Sequence, residues 1–184
     1  MPVWGWILIA VAVLLIAGTV AWAMSRRRTD RLRGRFGPEY ERSMTETGSR
    51  RKAESELADR QKRHEQLDIR PLAPEARTRY AEEWRLVQAR FVDQPGEAVH
   101  QADLLVMSVM RDRGYLMEDF EQRSADVSVD HPNVVDNYRA AHAISMARDH
   151  DKASTEDLRQ GMVHYRSLFD ELLGGDDTRM RETG

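Results

Sequence analysis

The six histidines are the residues best suited to metal binding or proton transfer, because a neutral imidazole can ligate a metal and titrates near neutral pH. Their spacing does not favour a metal site. No two histidines lie four residues apart on one helical face, and the sequence HExxH does not occur. His100 and Asp103 have helical spacing, but a pair of this kind is more typical of a solvated surface.

A polar cluster inside the folded domain is the alternative that the sequence leaves open. His142 and His164 lie within or beside apolar stripes of two predicted helices, where Asp126 or Asp130 could join them. The candidate cluster comprises Asp130, His131, His142 and His164. Hydrogen-bonded structural histidines explain the same pattern, and we favour that interpretation over a catalytic or metal-binding role.

No other motif indicates catalysis or cofactor binding. The chain has no cysteine, which excludes disulfides, thiolate ligands and a cysteine nucleophile. The nucleophile motif GxSxG and the nucleotide-binding motifs GxxxxGK[ST] and GxGxxG are absent. The sequence therefore predicts no catalytic residue, no cofactor and no metal, and it favours a protein that is not an enzyme.

The histidines belong to a predicted all-α domain of residues 72–173, a compact bundle of about four long helices. Apolar residues three or four apart predict a first helix from Pro74 to about Asp93, and its stripe holds Ala76, Tyr80, Trp84, Val87 and Phe91. The second helix is expected to end at Gly114. The third should open at Asp130-His131-Pro132, with Asp130 accepting backbone N–H groups. The last should run from Ser154 to Gly174-Gly175, before a disordered tail of residues 174–184.

The segment from Val3 to Met24 is predicted to be a transmembrane helix. It carries no charged side chain and is long enough, at about 1.5 Å per residue, to match the hydrocarbon thickness of a bilayer. Indole rings favour the interface, so Trp4 and Trp6 mark one end and Trp22 marks the other. A cleaved signal peptide is less consistent with this run, which is too long and lacks a basic leader.

A basic cluster directly after the predicted span indicates its orientation. Six arginines lie within eleven residues: Arg26, Arg27, Arg28, Arg31, Arg33 and Arg35. Lys and Arg beside a span are retained in the cytoplasm, so the N-terminus should be outside and the bulk of the chain inside. The same side chains could bind anionic lipid headgroups.

Residues 25–71 are predicted to form a basic juxtamembrane segment followed by a charged helical arm. A short helix should run from Glu39 to Thr47 and end at Gly48, and Ser49 should open a second helix reaching about Leu67. Ala53, Leu57 and His64 form only a thin apolar face. Acidic residues dilute the basic ones and aromatic residues are not interleaved, so we expect no nucleic-acid partner.

Several strings along the chain resemble a family of small, single-pass membrane-anchored bacterial proteins, often called hypothetical or secreted, to which no activity is assigned. They are RFGPEYER (35–42), RKAESELADRQKRHEQLDIRPL (51–72), ARFVDQP (89–95), SVDHP (128–132), YRAAHAI (138–144) and STEDLRQGMVHYRSLF (154–169). The resemblance implies a common architecture and no activity. A secreted protein would conflict with the topology that the arginines predict.

Together these features favour a membrane-tethered helical interaction module at the inner face of the membrane, with anionic lipids and a protein as its partners. Two alternatives stay open. One is a membrane-anchored enzyme or metal-binding domain that uses the His and Asp residues of the bundle. The other is an extracytoplasmic helical domain, which would require the arginine signal to be overridden.

Overall fold

The computed structural model describes residues 3–150 and 152–182, and the side chains of Val3, Gly5, 7–10 and 175–182 lie outside the described part. Within it, all regular structure is helical, which confirms the predicted all-α class. The helices are α1 (Val3–Phe36), α2 (Pro38–Thr47), α3 (Arg50–His64), α4 (Pro74–Arg90), α5 (Pro95–Arg113), α6 (Phe120–Asp130), α7 (Val135–Asp149) and α8 (Thr155–Glu182). Contacts divide the chain into two compact units, residues 1–58 and 59–184.

The first helix includes both the predicted span and the basic cluster. Helix α1 continues past Met24 to Phe36, so the arginines are helical as well. Six residues of the predicted span have side chains outside the described part. Among the residues described, no helix combines the length and the apolar character that crossing a membrane requires.

The second half of α1 packs with α2 and the start of α3 in the first unit. Its core holds Leu32, Phe36, Tyr40, Ala53 and Leu57, all of them buried. Gly37 and Gly48 adopt positive φ angles at the two ends of α2, a conformation that glycine reaches without steric cost. The thin apolar face of the charged arm is therefore a packing surface.

Helix α5 lies at the centre of the second unit, where it contacts α4, α7 and α8. The predicted stripe of α4 is confirmed at Tyr80, Trp84 and Val87, which are buried. The other core side chains come mainly from α5, α7 and α8, and they include Val99, Val106, Val109, Met110, Tyr138, Tyr165, Leu168 and Phe169. This helical bundle agrees with the predicted architecture.

Two predicted helix boundaries were wrong. Residues 127–129 belong to α6, which ends at Asp130, and α7 begins only at Val135 after a turn. Asp130-His131-Pro132 therefore ends one helix instead of opening the next, because the Asp130 carboxylate binds side chains distant in sequence. Helix α8 continues through Gly174-Gly175 to Glu182. A glycine inside a helix costs only about 1 kcal/mol, so two of them do not have to end it.

Candidate functional site

Asp130 lies at the centre of a buried polar cluster in the second unit. Its Oδ2 atom is 2.7 Å from Nε2 of His64, and it accepts a hydrogen bond of 3.0 Å from the hydroxyl of Tyr115. His64 is the last residue of α3, and Tyr115 follows the glycine that ends α5. The three side chains thus join the ends of α3, α5 and α6.

The groups around Asp130 favour its ionised carboxylate over the protonated acid. Burial alone would raise the pKa of Asp130, but the hydrogen bond and electrostatic interaction with His64 and the hydrogen bond from Tyr115 outweigh it. The pKa of Asp130 is therefore below its ordinary value. A carboxylate–imidazole pair can hold a proton, but the side chains of His64 and Asp130 are only 10% and 14% exposed, which suits a structural connection better than exchange with a substrate.

His131 is adjacent in sequence but has a different partner. Its Nδ1 atom is 3.0 Å from Oε1 of Glu171 in α8. Its Nε2 atom is buried and has no hydrogen-bond partner among the described residues. Burial is the main reason that the pKa of His131 lies below its ordinary value, so the fold favours the neutral imidazole.

The remaining two candidates also have partners of their own. The ring of His142 stacks on Phe120, with 3.8 Å between centroids and 11° between planes, and burial lowers its pKa. Nδ1 of His164 is 2.9 Å from Oδ1 of Asn137. The four residues singled out from the sequence thus have four different sets of contacts. Among the side chains that the structure describes, no three of His, Asp or Glu are grouped as a metal would require.

A second polar cluster holds the first unit together around the Glu54 carboxylate. Its Oε1 atom accepts hydrogen bonds from Oγ1 of Thr29 (2.7 Å), the hydroxyl of Tyr40 (3.1 Å) and Nε of Arg50 (2.8 Å). Burial would raise the pKa of Glu54, but these three donors outweigh it and lower the pKa. The cluster attaches the basic half of α1 to α2 and α3.

The predicted membrane-interface residues are all exposed. Trp4, Trp6 and Trp22 have 79%, 69% and 63% of their surface accessible. The arginine cluster is exposed throughout, and it comprises Arg26, Arg27, Arg28, Arg31, Arg33 and Arg35. Two members also contact aromatic rings: the guanidinium of Arg26 is 5.4 Å from the Trp22 ring centroid, and that of Arg33 is 5.2 Å from the Tyr40 centroid.

A shallow groove of about 320 Å³ lies between α4 and α5, and we call it the α4/α5 groove. Its apolar lining includes Leu86 and Leu104, which are 69% and 45% exposed. The complete lining is Glu83, Leu86, Val87, Arg90, Gln101, Leu104, Leu105 and Ser108. Sequence reasoning missed this surface. The available signal was an extra leucine directly before a core residue on each helix, Val87 on α4 and Leu105 on α5.

Sequence reasoning also missed the partners His64, Tyr115 and Glu171, because each is far along the chain from the aspartate or histidine that it contacts. The chain has no match among protein-family models, curated proteins or solved structures. The family resemblance described from the sequence therefore stays an expectation.

Proposed function

We propose that this chain is a membrane-tethered helical interaction module. The apolar first half of α1 holds it in a membrane as a single-pass anchor, the N-terminus faces outside, and the helical bundle docks a protein partner on the cytoplasmic side. The observation that carries this proposal is the exposure of large apolar side chains along α1, where Leu14 and Trp22 have 72% and 63% of their surface accessible.

The pattern of this exposure favours a bilayer over a protein groove. Val13, Leu14, Leu15 and Ile16 are consecutive and all exposed, so they point in every direction around the helix axis. A partner helix or groove would cover one stripe and leave the rest in water. Transfer of each such side chain out of water is favourable by about 1.5–3 kcal/mol, and lipid surrounds a helix on all sides.

The arginine cluster supports the proposed orientation. Arginine at the centre of a bilayer costs about 2.5–3.5 kcal/mol on insertion scales, so six of them oppose translocation of the segment that follows Met24. Their exposure also suits contact with anionic headgroups, worth about 1 kcal/mol for each basic residue near the surface.

The role of the bundle as an interaction domain is supported by the α4/α5 groove. It presents exposed leucines, whereas Asp130 and His131 contact His64 and Glu171 within the fold. No specific observation favours the enzyme or metal-binding alternative over docking.

Alkaline carbonate extraction of membranes from expressing cells tests the tether. Wild-type chain should stay with the membrane, whereas Leu14→Arg combined with Leu15→Arg should release it to the supernatant. The matched control replaces exposed apolar residues of the bundle, Leu86→Arg with Val92→Arg, and should stay in the membrane. Release of the wild type, or equal retention of the α1 variant, would contradict the proposal.

A further inference from the structure

The residue types along each helix of the α4/α5 groove follow a symmetric order. On α4, Glu83 lies three residues before Leu86, and Arg90 lies three residues after Val87. On α5, Gln101 lies three residues before Leu104, and Ser108 lies three residues after Leu105. Each helix therefore lines the groove with two apolar residues and with one polar residue at equal distance on either side. Of the apolar residues, Leu86 and Leu104 are exposed, whereas Val87 and Leu105 are buried.

The polar residues at the ends of the α4 face are charged, and those at the ends of the α5 face are not. The ends of the α4 face carry opposite charges, Glu83 and Arg90, while the ends of the α5 face, Gln101 and Ser108, are uncharged. If a second α4 is laid antiparallel over the first about a two-fold axis, each Glu83 meets the other copy's Arg90. Gln101 and Ser108 meet in the same way on α5. The face is therefore complementary to itself, which is the requirement for a two-fold interface.

We propose that the α4/α5 groove is the interface of a two-fold symmetric homodimer, and that the partner of this module is a second copy of the chain. The inference deepens the proposed interaction role, and its test does not depend on the tether: a failure to dimerise leaves carbonate extraction unchanged. Leu86 and Leu104 of each copy pack against the other copy's groove, which buries the most exposed apolar side chains of α4 and α5 that line it.

Existing contacts leave the charges available for this interface. Nε of Arg79 is 3.7 Å from Oε1 of Glu83 within α4, and both side chains are about half exposed. An exposed pair of this kind contributes little to stability, so Glu83 can exchange its partner at small cost. Opposite charges across an interface fix its register, and like charges in the same places oppose it.

Disulfide crosslinking provides the first test, because the chain has no cysteine of its own. A Leu86→Cys variant of the full chain places one thiol close to the proposed two-fold axis in each copy. Mild oxidation in detergent micelles should convert most of this variant to a covalent dimer. Val163→Cys on α8, 47% exposed, is the matched control and should crosslink far less. Equal or absent crosslinking at position 86 would overturn the proposal.

Charge reversal provides the second test and identifies the register. Glu83→Arg alone puts two arginines together in each pair, and Arg90→Glu alone puts two glutamates together. Each single variant should raise the dimer dissociation constant, measured by sedimentation of the full chain in detergent, by about tenfold or more. An equimolar mixture of the two variants should restore wild-type affinity as a heterodimer, because every pair is then opposite in charge.

Arg90 is exposed and the side chain of Glu83 is 46% exposed, and neither belongs to the core, so both variants should fold. The mixture also distinguishes this interface from association through α1. The substitutions leave α1 unchanged, so dimers formed through α1 would respond neither to the single variants nor to their mixture. A mixture no tighter than the single variants would overturn the proposed register. A wild-type chain that sediments as a monomer would overturn the dimer and leave a helix of another protein as the occupant of the groove.

Discussion

Nε2 of His64 lies 2.7 Å from Oδ2 of Asp130, although 66 residues separate the two along the chain. The contact joins the end of the charged α3 to the end of α6, and Tyr115 completes it from the segment after α5. The last turn of the arm is thus part of the bundle, and the second compact unit begins at residue 59, before the predicted start at residue 72.

Asp130→Asn should destabilise the second unit by about 1–3 kcal/mol at pH 7, because His64 and Tyr115 lose the charge that their hydrogen bonds favour. The folded-state pKa of Asp130 is depressed. Its contribution is therefore complete above the unfolded value near 3.8 and is lost as the pH falls through the lower folded value. The difference between wild type and variant should narrow below pH 3.8.

Urea unfolding of residues 59–184, followed by circular dichroism across pH 2–7, measures this difference. Asp170→Asn is the control, since Asp170 is 63% exposed and its contact with Arg166 is 3.5 Å long; it should change stability by less than about 0.5 kcal/mol. The buried His131 also disfavours folding as the pH falls below 6.5, and the Asp130 charge partly offsets this by raising the pKa of His131. The Asp170 control therefore shares this effect with wild type, whereas Asp130→Asn enlarges it. A pH-independent difference would contradict the assignment of a charged Asp130.

Trp84 stacks on Phe169, with 4.7 Å between ring centroids and 19° between planes, which joins α4 to α8. Trp84→Ala should cost about 3–5 kcal/mol of unfolding free energy, as large aromatic truncations in cores do. Val92→Ala, just after α4 and 83% exposed, lies outside the α4/α5 groove and should cost less than about 0.5 kcal/mol. A loss below about 1 kcal/mol for Trp84→Ala in the same unfolding experiment would show that α4 does not depend on this packing.

Gly114 ends α5 with a φ of 98°, and an added Cβ would collide with the backbone carbonyl oxygen of Asp68. Gly114→Ala should cost more than the roughly 1–2 kcal/mol that a left-handed conformation alone imposes on an alanine. Gly96→Ala is the matched control, because a Cβ there meets only Arg148 side-chain carbons at 3.6 Å and beyond. Thermal melts that give equal midpoints for the two variants would refute the close approach.

Glu54→Gln should loosen the first unit, because Thr29, Tyr40 and Arg50 then face a neutral amide in place of a buried carboxylate. Amide hydrogen exchange of the full chain in micelles should become faster in α2 and in the first half of α3. Glu56→Gln is the control, since Glu56 is 42% exposed and its Lys52 contact is 4.0 Å long. Unchanged exchange in the Glu54 variant would mean that apolar packing alone holds the unit.

The sequence predicted those features of the fold that depend on residues close together along the chain, and it missed those that depend on distant residues. Helix starts and ends depend mainly on neighbouring residues, so the buried stripe of α4 and the end of α5 at Gly114 were predicted correctly. The role of Asp130 was not predicted correctly, because the residues around it are typical of a helix start. Its contact with His64, 66 residues away, cannot be read from the local sequence. The α4/α5 groove likewise depends on how the two helices pack together, and the spacing of apolar residues along each helix does not specify that packing.

The central claim is that α1 anchors the chain in a membrane with the bundle on the cytoplasmic side. It is tested most directly by fusing the C-terminus, in separate strains, to a fluorescent protein that matures only in the cytoplasm and to a phosphatase active only outside it. We predict membrane-localised fluorescence without phosphatase activity. Replacing the six arginines from Arg26 to Arg35 by glutamine should then produce mixed orientation. Phosphatase activity without fluorescence in the wild type, or fluorescence spread through the cytoplasm, would contradict the account.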